Sequence, residues 1–228
     1  MGDRQLRSFG RIQGRKLTAE KQDLIDNLLP EFSIDIEKAS NIENIFNNNK
    51  FKDYCMEIGF GGGEHLVGIA KTNPDTGFIG CEPFTNGVAS CLKQIKSENP
   101  DNIKLFHGDA RLLIEKLPEN SLNRVFILFP DPWPKFKHHK KRIINNELFK
   151  SLSRVIAAGG SLEIATDHVE YTQWIEEEIS SQIWFLWQDW SKNNPKKPPE
   201  DWIETRYQQK ALKEGRTANF FICERQSN

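Results

Sequence analysis

From Tyr54 onward the chain alternates short apolar runs with amphipathic stretches, and that order leaves few folds open. The runs at 54–58, 78–82, 103–107, 124–129 and 161–166 read as buried strands. Between them, 64–71, 86–98 and 145–157 place apolar residues three or four apart: Val88, Leu92 and Ile95 in one, Leu148, Leu152 and Val155 in another. Those stretches are predicted helices. Strands joined by crossover helices give a doubly wound, mostly parallel α/β sheet, whose ligands bind beyond the carboxyl ends of the strands. After Thr166 a helix through Tyr171–Ile179, the aromatic run Ile183–Trp190 and a last apolar strand Asn219–Cys223 suit a terminal antiparallel hairpin. Residues 191–218 form a connection too long for a structureless loop, and such loops are often functional. Upstream, a weak helix at 18–29 and the linker asparagines Asn47, Asn48 and Asn49 assign residues 1–50 to a basic N-terminal arm and linker, with the domain at 51–228.

A chain of 228 residues with 37% hydrophobic content can bury one core, and its size permits a monomer. Its apolar runs, such as Val125–Phe129, fall far short of the ~20 residues that cross a membrane. No secretory pattern follows the early arginines, so the cytoplasm is the expected location. Cysteines 55, 81, 91 and 223 form no CxxC pair and are expected as buried free thiols; the histidine spacing gives no metal motif, and no metal is expected.

The net charge of −1 hides two basic stretches. Residues 1–16 set Arg4, Arg7, Arg11, Arg15 and Lys16 against Asp3 alone, and Lys135 to Arg142 reads K-F-K-H-H-K-K-R with no acid. Each run by itself could be a solvated face. Two of them flanking one candidate site favour a polyanion, and nucleic acid over a membrane, since no amphipathic helix carries them.

The residues that follow the strands carry the chemistry. After the first strand, Gly59, Gly61 and Gly63 allow a tight turn and close backbone approach to a ligand, although a merely structural turn would look the same. Glu64 occupies the place where a dinucleotide fingerprint needs Gly or Ala, which argues against a pyrophosphate. Glu82, ending the second strand, stands where an acid accepts ribose hydroxyls. Asp109 could accept from an adenine amine or simply cap a helix. Together these describe a nucleoside pocket without a pyrophosphate site, which suits S-adenosylmethionine. Asp131 lies between Pro130 and Pro132, which hold its backbone, and Trp133 could stack on a base or be buried in a turn.

The segments M-E-I-G-F-G-G-G-E, C-E-P, H-G-D-A, F-P-D-P-W-P-K-F-K-H-H-K-K-R, A-T-D-H and T-R-Y-Q-Q-K-A-L-K-E-G-R, in this order, resemble the bacterial tRNA (guanine-N7-)-methyltransferase family from about Arg7 to Glu224. The glycine turn is common to many methyltransferases, whereas P-D-P-W-P-K followed by H-x-K-R is specific. The resemblance implies a class I methyltransferase, Rossmann-like fold with a seven-stranded sheet, S-adenosyl-L-methionine as cofactor, and the variable-loop guanine of tRNA as substrate. It also implies cofactor contacts at Glu57, Glu82, Asp109 and Asp131, with Asp131 as the catalytic residue. Substrate contacts are implied at Lys135, Asp167, Thr205, Arg206, Tyr207 and Gln208. Many members have Glu where this chain has Gln208, so a role there that requires a carboxylate is in doubt. Lys137, Lys140, Lys141 and Arg142 are assigned to the tRNA backbone. The rival readings are methylation of another RNA base or amine, and tRNA binding without turnover.

Overall fold

The computed structural model of the chain describes residues 10, 12, 14–47 and 50–227. One seven-stranded sheet organises them: β1 (Asp53–Ile58), β2 (Thr76–Cys81), β3 (Ile103–Phe106), β4 (Leu122–Leu128), β5 (Ile156–Thr166), β6 (Phe185–Trp187) and β7 (Asn219–Arg225). The spatial order is β3-β2-β1-β4-β5-β7-β6, with the first five strands parallel and β7 antiparallel to both β5 and β6. The expected mostly parallel sheet and its antiparallel terminal hairpin are both present.

The helices are α1 (Ala19–Asp23), α2 (Leu29–Phe32), α3 (Ile42–Ile45), α4 (Glu64–Thr72), α5 (Thr85–Glu98), α6 (Ala110–Lys116), α7 (Asn146–Val155), α8 (Val169–Ser181), α9 (Asp189–Asn193) and α10 (Arg206–Lys213). Several start where a short polar side chain takes an orphan N–H. Asn145 accepts from Leu148 at 3.0 Å and Thr205 from Gln208 at 3.1 Å, each satisfying a donor of the first turn. A π-helical turn, Leu24–Leu28, joins α1 to α2.

Strand periodicity divides the core. Met56 and Ile58 of β1 join Ile79, Val125, Ile127 and Leu162 against α6, α7 and α8. Cys55, on the opposite face, joins Phe78, Leu105 and Phe126 against α4 and α5. Alternate residues of a strand face opposite sides, so Glu57 must share the α4 side with Cys55.

The folded body begins upstream of the expected boundary at residue 51. Leu24, Leu29, Ile34, Ala39, Ile45 and Phe46 are buried in the two cores, and the Ile34 N–H donates to the Leu105 carbonyl at 2.9 Å. Leu24 and Leu29 lie in the continuous helical stretch 19–32, where a weak helix is expected at 18–29, and Ile45 lies in a helix of four residues, too short for a periodic signal. Arg4, Arg7, Arg11, Asn48 and Asn49 lie outside the described residues. Residues 191–218 are divided by the end of α9 and by α10, with a stretch at 194–205 between them that holds turns but no helix or strand. Arg124 of β4 pins that stretch, donating to both oxygens of Asp201 at 2.5 and 3.2 Å and to Glu163 at 2.8 Å. Among the described residues no helix is long and apolar enough to cross a membrane.

All four cysteines are buried and free. Burial pushes the Cys55 thiol up to about 12 and raises those of Cys81, Cys91 and Cys223 as well, so thiolate is scarce at neutral pH. A disulfide-exchange reagent at pH 8 should therefore leave the native protein unlabelled and label every cysteine in denaturant. Rapid labelling of any one in the native protein would contradict this packing.

Candidate active site

The chain leaves β1 toward β2 and β3, then returns to β4 on the other side. The carboxyl ends of β1 and β4 thus border the crevice where the strand order reverses. A cavity of about 780 Å3 opens there, lined among others by Gly59, Gly61, Glu82, Asp109, Asp131 and Tyr207. Gly59, Gly61 and Gly63 all have positive φ, at 77°, 54° and 85°, which explains the glycines in this turn. A Cβ at Gly59 or Gly61 would meet nothing within 4 Å, so the turn borders open cavity, whereas one at Gly63 would come within 2.5 Å of Cys91 Sγ.

Glu82 ties this turn to the end of β2. Its two oxygens accept from the Gly61 N–H at 2.8 Å and the Phe84 N–H at 2.9 Å. Burial pushes its carboxyl up from the usual range, against the pull of those two donors and with the help of nearby Glu57 and Asp131. Each oxygen keeps a second lone pair that can face the cavity.

Asp109 caps α6 through the Arg111 N–H at 3.1 Å, pairs with the Arg111 guanidinium at 2.7 Å, and also lines the cavity. Asp131 is exposed at the cavity, and among the described residues its carboxylate has no hydrogen-bond or ion-pair partner. Its approach is stiff: Phe129, whose N–H donates to the Ala165 carbonyl at 2.8 Å, and Trp133 both have positive φ, at 51° and 44°. Non-glycine residues persist in that region only where their surroundings enforce it.

Glu57, expected as a cofactor contact, lies below the cavity lining. It is 3% exposed, does not line the cavity, and meets Nδ1 of buried His65 at 2.9 Å beneath the glycine turn. The reason is the strand alternation already noted, which points it toward α4. His65 carried no motif in the sequence, and only the fold sets it opposite Glu57.

Of the basic stretch, Lys135, Lys137 and Lys140 are exposed, and Lys140 and Lys141 reach the cavity mouth. Partial burial and the surrounding ammonium groups hold His138 below its ordinary value, so lysines carry the charge here at neutral pH. Arg142, expected at the tRNA backbone, lines the cavity from a buried position. It is 3% exposed, donates from Nε to the Pro132 carbonyl at 2.9 Å, and lies over Tyr171 and Trp174 at 5.1 and 4.9 Å. Arg142 thus braces the Pro130–Pro132 turn from inside. Ile12 and Arg15 lie beside the same mouth, their carbonyls accepting from Thr85 and Asn86, and Gly10 reaches the cavity.

The far wall comes from α10 and the stretch before it. Trp202 packs on His65 and Phe220, with ring centroids at 5.3 and 4.8 Å, and its indole N–H donates to Gln208 Oε1 at 2.8 Å. Gln208, expected as a substrate contact, points inward and serves as an uncharged acceptor for the indole. Thr205 is spent as the cap of α10, and Arg206 reaches Glu64 at 3.3 Å. Tyr207 faces the cavity against Phe129 and donates to Asp167 Oδ1 at 3.3 Å, while Arg216 binds Asp167 Oδ2. Trp202 and Arg124 gave no signal in the sequence, and Arg216, which ends the T-R-Y-Q-Q-K-A-L-K-E-G-R segment, gave none of its partner; Asp167 lies 49 residues from Arg216 and Asp201 lies 77 from Arg124. Gln208→Leu should cost about 1–3 kcal/mol in denaturant unfolding, the penalty of stranding the indole N–H. Trp202→Phe on top of it should cost less than it does alone, since the shared bond is already gone.

Residues 52–221 match the family model described as "Putative methyltransferase". A tRNA (guanine-N(7)-)-methyltransferase of Ruegeria sp. (strain TM1040) is 40% identical over 96% of this chain and 87% of its own. One from Zymomonas mobilis is 38% identical over 94% and 92%. Among solved structures, an antibiotic-related methyltransferase superposes with a TM-score of 0.54 at 14% identity, covering 82% of this chain and 98% of that one, which shows a shared fold. With such identity across nearly its whole length, and with the sheet order and cavity just described, this chain belongs to the tRNA (guanine-N(7)-)-methyltransferase family.

Proposed function

We propose that this protein transfers a methyl group from S-adenosylmethionine to N7 of the variable-loop guanine of tRNA, acting in the cytoplasm. The observation that carries the reading is one cavity in which the glycine turn, Glu82, Asp109 and Asp131 meet, with exposed lysines at its mouth. The residues fit the cofactor. The turn borders open space where a Cβ would protrude, and Glu82 and Asp109 line the same cavity, which supports roles as acceptors for ribose hydroxyls and an adenine amine. The volume suits a nucleoside with an entering base. When bound, the cofactor supplies the sulfonium methyl, which the N7 lone pair attacks as the carbon–sulfur bond breaks to leave a neutral thioether.

N7 carries a free lone pair at neutral pH, so the enzyme has no proton to remove before transfer. Its work is to align the base for in-line attack at about 3–3.5 Å and to stabilise the positive charge that builds on the purine. Asp131, exposed at the cavity on a backbone fixed by two prolines and unpaired among the described residues, supplies that negative charge without first giving up another partner. Tyr207, held by Asp167 and packed against Phe129, bounds the guanine from the other side. Lys135, Lys137 and Lys140 orient the RNA through its phosphates.

Incubation with unmodified tRNA transcript and methyl-labelled S-adenosylmethionine should place the label in 7-methylguanosine of the variable loop. Label in another nucleoside would overturn the target, and none despite cofactor binding would indicate binding without turnover. Asp131→Asn should lower kcat about 100-fold with cofactor affinity kept; near-normal turnover would remove its electrostatic role. Replacing Lys135, Lys137 and Lys140 by Ala should flatten the slope of log affinity against log salt by about 2–3.

A further inference from the structure

The turn Phe136–Lys141 carries an aromatic side chain that the reaction as described does not use. Phe136 is 88% exposed, the most exposed of the large apolar residues among those described. Full hydration of a phenyl ring is unfavourable, and a single exposed ring needs no explanation by itself. Its setting gives it one. Lys135 and Lys137 flank it, both exposed, and His139 meets it edge-on at 5.4 Å, which anchors the ring without covering it. The sequence had offered Trp133 as the ring on which a base stacks. In the structure the Lys141 ammonium lies 4.4 Å from the Trp133 ring centre, and His138 packs edge-on at 5.7 Å, so Trp133 is engaged within its own turn.

We propose that Phe136 is a stacking platform for an unpaired base of the tRNA, one that neighbours the reacting guanine. This rests on the tRNA reading above. The reacting base must enter the cavity, and Phe136 is not among the residues that line it, whereas Trp133, Lys140 and Lys141 on either side are. A base held by Phe136 therefore lies outside, at the mouth. Every nucleobase offers a π face, and a ring between cations matches a base between phosphates, which is how single-stranded RNA is gripped without strict sequence choice. The platform adds affinity and register near the target, where backbone contacts alone would let the strand slide.

The test compares Phe136→Ala, Phe136→Leu and Phe136→Trp, none of which removes a buried group. Binding of unmodified tRNA transcript to the Ala and Leu variants should weaken about 5- to 100-fold, with the salt slope and kcat at saturating tRNA unchanged. Phe136→Trp should bind at least as well as the wild type, and its added indole emission should be quenched by tRNA relative to the wild-type protein. Unaltered affinity in the Ala variant, or a Leu variant equal to wild type, would overturn the stacking role while wild-type methylation of tRNA stands. A wild-type protein that leaves tRNA unmethylated would instead sink the tRNA reading itself, which separates the two failures.

Discussion

The site depends on one buried carboxylate. Glu82 bridges the Gly61 and Phe84 N–H groups, so the turn after β1 and the entry to α5 are tied to one point at the end of β2. Desolvation disfavours the charged form and the two donors restore part of that loss. The floor of the cavity is thereby fixed before any ligand arrives. Gly61 and Gly63 take positive φ around this anchor, and Gly63 additionally lets α4 approach Cys91 of α5.

The wall opposite is built by long-range contacts. Arg124 in the central strand holds Asp201, Trp202 rests on His65 and Phe220, and Gln208 receives the Trp202 indole. Together they set α10 so that Tyr207 reaches the cavity while Asp167 and Arg216 lock it. Through Glu57 and His65 the same chain of contacts runs back beneath the glycine turn. The cofactor side and the substrate side are one packed unit, which suits a reaction whose main requirement is alignment.

Much of this was legible before the fold was seen. The positions after strands, Glu82, Asp109 and Asp131, line one cavity because a parallel sheet brings all its carboxyl ends to one edge. At three positions the type of a residue says less than its direction. Glu57 belongs to the turn but faces α4, Arg142 belongs to a basic run but lies under Tyr171 and Trp174, and Gln208 belongs to the recognisable T-R-Y-Q segment but points inward. The weak helix expected at 18–29 corresponds to the continuous helical stretch 19–32, but its few apolar residues do not reveal in the sequence that Leu24 and Leu29 pack into the core.

The sequence by itself determined the sheet class, the order of the site segments and the family, because periodicity, glycine turns and bracketing prolines act over a few residues each. Tertiary structure alone decided which side chains face the cavity and which are spent holding its walls. His65, Trp202 and Arg216 acquire their partners across space, and a side chain's direction depends on the packing of its whole element.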